Sequence, residues 1–145
     1  MIKIGLTGSI SSGKTTASKI ISKRRGPLFS ADNVVKKLYN TKNFKKVVAK
    51  KLKIKSRSDF KGTIKNIIFK KKGTLKKLEK IIHPMVRKEM LVFLKKNKNK
   101  KFLFLEIPLL IESRLTKYFD VIIFIKSKKN LRLKRFRLKK GNIKL

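Results

Sequence analysis

The run Gly8-Ser9-Ile10-Ser11-Ser12-Gly13-Lys14-Thr15 has the spacing G-x-x-x-x-G-K-[ST], and each fixed position of that pattern serves phosphate chemistry. Gly8 and Gly13 let the backbone turn its N–H groups inward around phosphate oxygens, while a helix that starts just after them adds the positive end of its dipole. Lys14 would reach the β- and γ-phosphates of a nucleoside triphosphate, and the Thr15 hydroxyl would ligate Mg²⁺. Gly8, Ser11, Ser12, Gly13, Lys14, Thr15 and Thr16 are therefore the candidate nucleotide-binding set, with Thr15 as the metal ligand. Asp32 is a second reactive group: a carboxylate just past an apolar pair can act as a general base, or simply cap the helix that follows. His83 is the sole histidine, and no cysteine or clustered carboxylate accompanies it to make a zinc site.

These groups need elements to hold them. Ile2, Ile4 and Leu6, bounded by Gly8, suit a buried strand that delivers the chain into the loop, and Ala17, Ile20 and Ile21 recur at helical spacing behind it. Gly26-Pro27 closes that helix, Leu28-Phe29 reads as a short strand, and Val34, Val35, Leu38 and Tyr39 form the apolar face of a helix from about Asp32. Residues 44–94 carry apolar side chains at helical period with no convincing strand, so a helical insertion over 40–100 is expected. Within it Leu75, Leu78, Ile81, Ile82, Met85 and Val86 form a regular series interrupted by Pro84, which should kink the helix or begin a new one. The runs Phe102–Leu105 and Val121–Ile125 fit strands of a parallel sheet covered on both faces. Residues 128–140 read as a basic helix. The order strand, loop, helix, strand, helix predicts an α/β fold: one P-loop NTPase-type domain over 1–145, a parallel sheet flanked by helices, with the insertion and a partial lid over 127–145.

Composition narrows the classes of function. The 145 residues include 43 Lys and Arg against 7 Asp and Glu, a formal net charge of +36. Such a field draws polyanions, but the basic residues are mostly lysines scattered through every segment, as a bias of the whole gene would leave them. Nucleic acid is accordingly expected as a partner only through nonspecific charge. The absence of cysteine excludes a disulfide scaffold, and the longest apolar runs are too short to span a bilayer. A cytoplasmic protein with no membrane association is expected.

At this point a resemblance becomes specific. The loop, Ala31-Asp32, the stretch Leu78-Glu79-x-Ile81-x-His83-Pro84-x-Val86-Arg87, the element Ile107-Pro108-Leu109-Leu110-Ile111-Glu112 and the basic helix around Arg135 occur in the order of the dephospho-CoA kinases, and the chain resembles that family along essentially its whole length. The resemblance implies ATP as phosphoryl donor, Mg²⁺ as cofactor and the 3′-hydroxyl of dephospho-CoA as acceptor. It implies Asp32 as the base, Lys14 and Arg135 as the catalytic cations, and Asp32, His83, Arg87, Leu109 and Glu112 as acceptor contacts. Glu106 stands where the family more often has Asp, and it reads as a holder of Mg²⁺ through water, as a residue that orients a loop, or as a strand-end surface acid. Pro108-Leu109-Leu110 reads as a pocket wall or as packing, and Ser30 replaces the first acid of the family's Asp-x-Asp. Family members continue for several dozen residues past the position of Leu145, so a C-terminally short chain with a less enclosed nucleotide is expected. The alternatives are another small-molecule P-loop kinase, against which the His-Pro and Pro-Leu-Leu elements argue, and a basic nucleic-acid-binding or inactive chain, for which the charge argues.

Overall fold

The structure, a computed structural model, describes residues 1–55, 59–108, 110, 111 and 115–141. The chain runs β1 (Ile2–Gly8), α1 (Lys14–Ser22), β2 (Leu28–Ser30), α2 (Ala31–Leu38), α3 (Lys42–Leu52), α4 (Phe60–Lys70), α5 (Thr74–Lys96), β3 (Phe102–Glu106), a short 3₁₀ turn (Thr116–Tyr118), β4 (Val121–Ile125) and α6 (Lys129–Gly141). It divides into two compact units, one of Met1–Ala31 with Phe93–Leu145 and one of Asp32–Val92.

In the first unit the four strands form one parallel sheet in the order β2-β3-β1-β4. The register pairs Leu6 of β1 with Glu106 of β3, and Gly8 with Ile125 of β4. From β1 the chain goes on to β2 on one side of this pair, and from β3 it goes on to β4 on the other. Connections that diverge in this way open a crevice beyond the carboxyl ends of the two central strands. That topology puts the loop after β1 and the last residue of β3 side by side. Leu6, Leu103, Phe104, Leu105 and Leu110 are buried around these strands, each contributing about 1.5–3 kcal/mol by leaving water. At the start of β4 the Lys3 N–H donates to Asp120 Oδ2 at 2.7 Å, and the Asp120 N–H donates back to the Lys3 carbonyl at 2.9 Å.

Three expectations change. β4 is an edge strand with Val121, Ile122 and Phe124 exposed, so it is not covered on both faces; a run of apolar residues reads the same whether the strand is central or peripheral. In α1, Ser18 and Ser22 are buried while Ile20 is 65% exposed. The helix packs against β1, β2 and β3 with small side chains buried, which allow close approach, while of its two isoleucines only Ile21 is half-buried. Pro84 lies inside a single helix, α5, and does not start a new one. Buried Leu78 and Ile81 before it, and Met90 after it, anchor both halves, which offsets the backbone hydrogen bond that proline cannot make.

The second unit is helical. Its core is Phe44 and Val48 of α3, Ile64 of α4, and Leu78 and Ile81 of α5. Caps fix where the helices begin: the Thr41 hydroxyl accepts from the Phe44 N–H, and Asp59 Oδ1 from the Gly62 N–H at 3.0 Å.

Candidate active site

The loop after β1 has the backbone that its glycines permit. Gly13 has φ 92° and Ser11 φ 57°, both left-handed, and Gly13 is the residue from which α1 springs. At Gly8 the constraint is space as well, since a Cβ there would collide with the carbonyl oxygen of Ile125 on β4. The loop closes on itself through the Ser12 N–H, which donates to the Ser9 carbonyl at 3.2 Å. Lys14 Nζ donates to the same carbonyl at 3.1 Å. One of its three hydrogens thus steadies the loop, and an ammonium has two more that a phosphate could accept.

Behind the loop, the Thr15 hydroxyl donates to Glu106 Oε1 at 2.7 Å. Glu106 is 1% exposed and its Oε2 has no partner among the described residues, which rules out the strand-end surface acid. The hydroxyl proton is committed to the carboxylate, so the Thr15 oxygen lone pairs are turned elsewhere. A hydroxyl oxygen and a spare carboxylate oxygen are ligands of the hard, oxygen-preferring kind that a divalent cation takes, with water and phosphate oxygens completing its shell. No cluster of three metal-binding side chains exists among the described residues.

Arg135 reaches the loop from α6: its guanidinium donates to the Ser12 carbonyl at 3.3 Å and lies beside Gly13. Two cations, Lys14 and Arg135, therefore converge on one phosphate loop. Asp32 is exposed in the first turn of α2, one residue inside the helix, so it is not the N-cap. His83 and Arg87 are exposed on α5, four residues apart and so on one face. These three belong to the helical unit. Leu109 and Glu112 lie outside the described residues. Leu110 is fully buried against Gly5 of β1, and its part is packing and not the wall of a pocket. Glu106 is the residue whose weight the sequence understated; its register opposite the end of β1 was the missing signal.

A phosphate loop between strand and helix, with a buried acid at the neighbouring strand end, places the chain among proteins with a P-loop NTPase-type fold. The particular family follows from comparison. Residues 2–144 match the family model for dephospho-CoA kinase, and the chain belongs to the dephospho-CoA kinase family, transferases that use ATP to convert dephospho-CoA to coenzyme A. Dephospho-CoA kinase of Rickettsia felis is 35% identical over 135 residues, covering 93% of this chain and 70% of the relative. That of Fusobacterium nucleatum is 34% identical over 139 residues, covering 91% and 70%. The crystal structure of TT1252 from Thermus thermophilus superposes with a TM-score of 0.75 at 26% identity, over 97% of this chain and 73% of that one. Dephospho-CoA kinase from Campylobacter jejuni shares the fold, with a TM-score of 0.57 at 22% identity over 97% and 98%.

Proposed function

We propose that this chain transfers the γ-phosphoryl group of ATP to the 3′-hydroxyl of dephospho-CoA, giving coenzyme A and ADP. The observation that supports this most is the convergence of Lys14 and Arg135 on the loop that Gly8 and Gly13 shape, because phosphoryl transfer asks mainly for positioning and for charge offset at the phosphoryl oxygens. In this reading Asp32 takes the proton of the acceptor hydroxyl, whose oxygen forms the new P–O bond as the bond to the ADP oxygen breaks. Lys14 holds the β- and γ-phosphates, and Arg135 offsets charge on the transferring group. His83 and Arg87 hold the acceptor, the guanidinium suiting its phosphates. Leu109 and Glu112 are further acceptor contacts, 40–100 serves as the substrate-binding insertion, and 127–145 serves as a partial lid. The reaction belongs to the cytoplasm, where ATP is kept.

Thr15 and Glu106 would hold Mg²⁺, which when bound neutralises charge on the β- and γ-phosphates. Glu106→Gln keeps an oxygen to accept from Thr15 but removes the charge, so the Mg²⁺ needed for half-maximal binding of a fluorescent ATP analogue should rise about 10- to 100-fold. An unchanged Mg²⁺ requirement would make Glu106 a packing residue.

The reading is tested by supplying γ-labelled ATP and Mg²⁺ with either dephospho-CoA or a nucleoside monophosphate. Label is expected in coenzyme A. Label in the nucleoside diphosphate instead, or no transfer beside salt-sensitive RNA binding, would overturn it.

A further inference from the structure

The helical unit contains an open groove of about 460 Å³, lined by Val35 and Lys36 of α2, by Tyr39 just after it, and from α4 by Lys61, Ile64, Lys65, Ile68 and Phe69. Its floor is apolar and its charged lining is all lysine, with no acid. Phe69 is 78% exposed, a large aromatic left in water at the groove's margin. Lys61 Nζ stands 5.9 Å from the centre of the Tyr39 ring. Burial pushes the Tyr39 phenol above its ordinary value, and a neutral phenol can donate a hydrogen bond. The combination suits a ligand with an anionic group and an uncharged, partly apolar extension.

Helix geometry ties the groove to the candidate base. Val35, Lys36 and Tyr39 follow Asp32 by three, four and seven residues, so all lie within about 60° of Asp32 around α2, the last of them about 10 Å further along the axis. Both Asp32 and the groove belong to the same compact unit. A nucleoside whose sugar hydroxyl is held at Asp32 could run its 5′-diphosphate, and whatever that diphosphate carries, along this face. In dephospho-CoA the diphosphate carries pantetheine, an uncharged arm with a branched dimethyl carbon and two amides. Resting on the acceptor reading above, we propose that the α2–α4 groove seats this phosphorylated pantetheine arm. Lys61 and Lys65 engage the phosphates, Val35, Ile68 and Phe69 receive the branched chain, and the Tyr39 hydroxyl donates to an arm carbonyl.

The test uses the full chain in two measurements. Titration with 4′-phosphopantetheine, followed by NMR, should shift the signals of Tyr39 and Phe69, while pyrophosphate at equal concentration should not. The exposed-site variants K61E/K65E and Phe69→Ser should raise the KM for dephospho-CoA by roughly tenfold while kcat and the KM for ATP hold. Equal shifts with pyrophosphate would reduce the groove to a nonspecific anion site, and an unchanged KM in both variants would remove the arm from it. Either result overturns the proposal while leaving an active kinase intact. If the unaltered chain makes no coenzyme A, the acceptor reading falls instead, and the 4′-phosphopantetheine titration alone decides the groove.

Discussion

Asp32→Asn should lower kcat for coenzyme A formation by about 10²- to 10⁴-fold, the usual worth of a positioned general base, with little change in the binding of ATP. Asparagine has the same shape and can still accept a hydrogen bond from the acceptor hydroxyl, but it cannot take the proton. The result is interpretable because Asp32 is exposed and sits inside the first turn of α2. There its carboxylate interacts with the helix dipole, worth roughly 0.3–1 kcal/mol, and it is not the residue that starts the helix. A thermal melt should therefore move only slightly. Single-turnover kinetics with dephospho-CoA and labelled ATP provide the measurement. A variant within threefold of the unaltered rate would leave Asp32 as a helix-dipole residue and require another base.

The contrast between the parts of this site that could be read in advance and those that could not has a physical origin. Gly8, Gly13 and Lys14 were legible because a phosphate loop is a local structure, in which positive φ and the missing Cβ are needed within a few residues of each other. The parallel sheet was legible in the apolar run Phe102–Leu105, of which Leu103, Phe104 and Leu105 are buried as expected. The same kind of run in Val121–Ile125 gave no warning that β4 lies at an edge, because neighbours in a sheet are set by topology. Glu106 was ambiguous for a related reason: its partner Thr15 is 91 residues away, and only strand register brings them together. The buried serines of α1 gave no signal, because a small polar side chain reads the same on a packed face as on a solvated one. The α2–α4 groove needs two helices packed at a definite angle, and Tyr39 and Phe69 taken singly read as ordinary core or surface positions.

Arg135→Ala is expected to cut kcat by about 10²- to 10³-fold, the loss typical of removing one group that stabilises transition-state charge, and to change the KM for ATP by less. The reason for the asymmetry lies in where charge develops. In the proposed reading the loop N–H groups and Lys14 would already meet the ground-state phosphates, whereas the guanidinium, poised at the Ser12 carbonyl beside Gly13, would turn to the oxygens of the phosphoryl group in flight. The competing account treats α6 as a solvated basic face, since it also carries Arg132, Lys134, Arg137 and Lys139. Arg137 separates the two: it is exposed on the same helix, so Arg137→Ala removes equal charge from the same element. Loss confined to Arg135 identifies a specific contact, and equal losses from both would reveal only the general positive field. Raising the ionic strength sharpens the distinction, because a field effect between exposed charges weakens beyond a Debye length of about 8 Å at physiological salt, while a guanidinium held against the loop keeps most of its effect. Arg135→Lys should recover only part of the rate, since an ammonium lacks the planar fork that meets two phosphoryl oxygens at once.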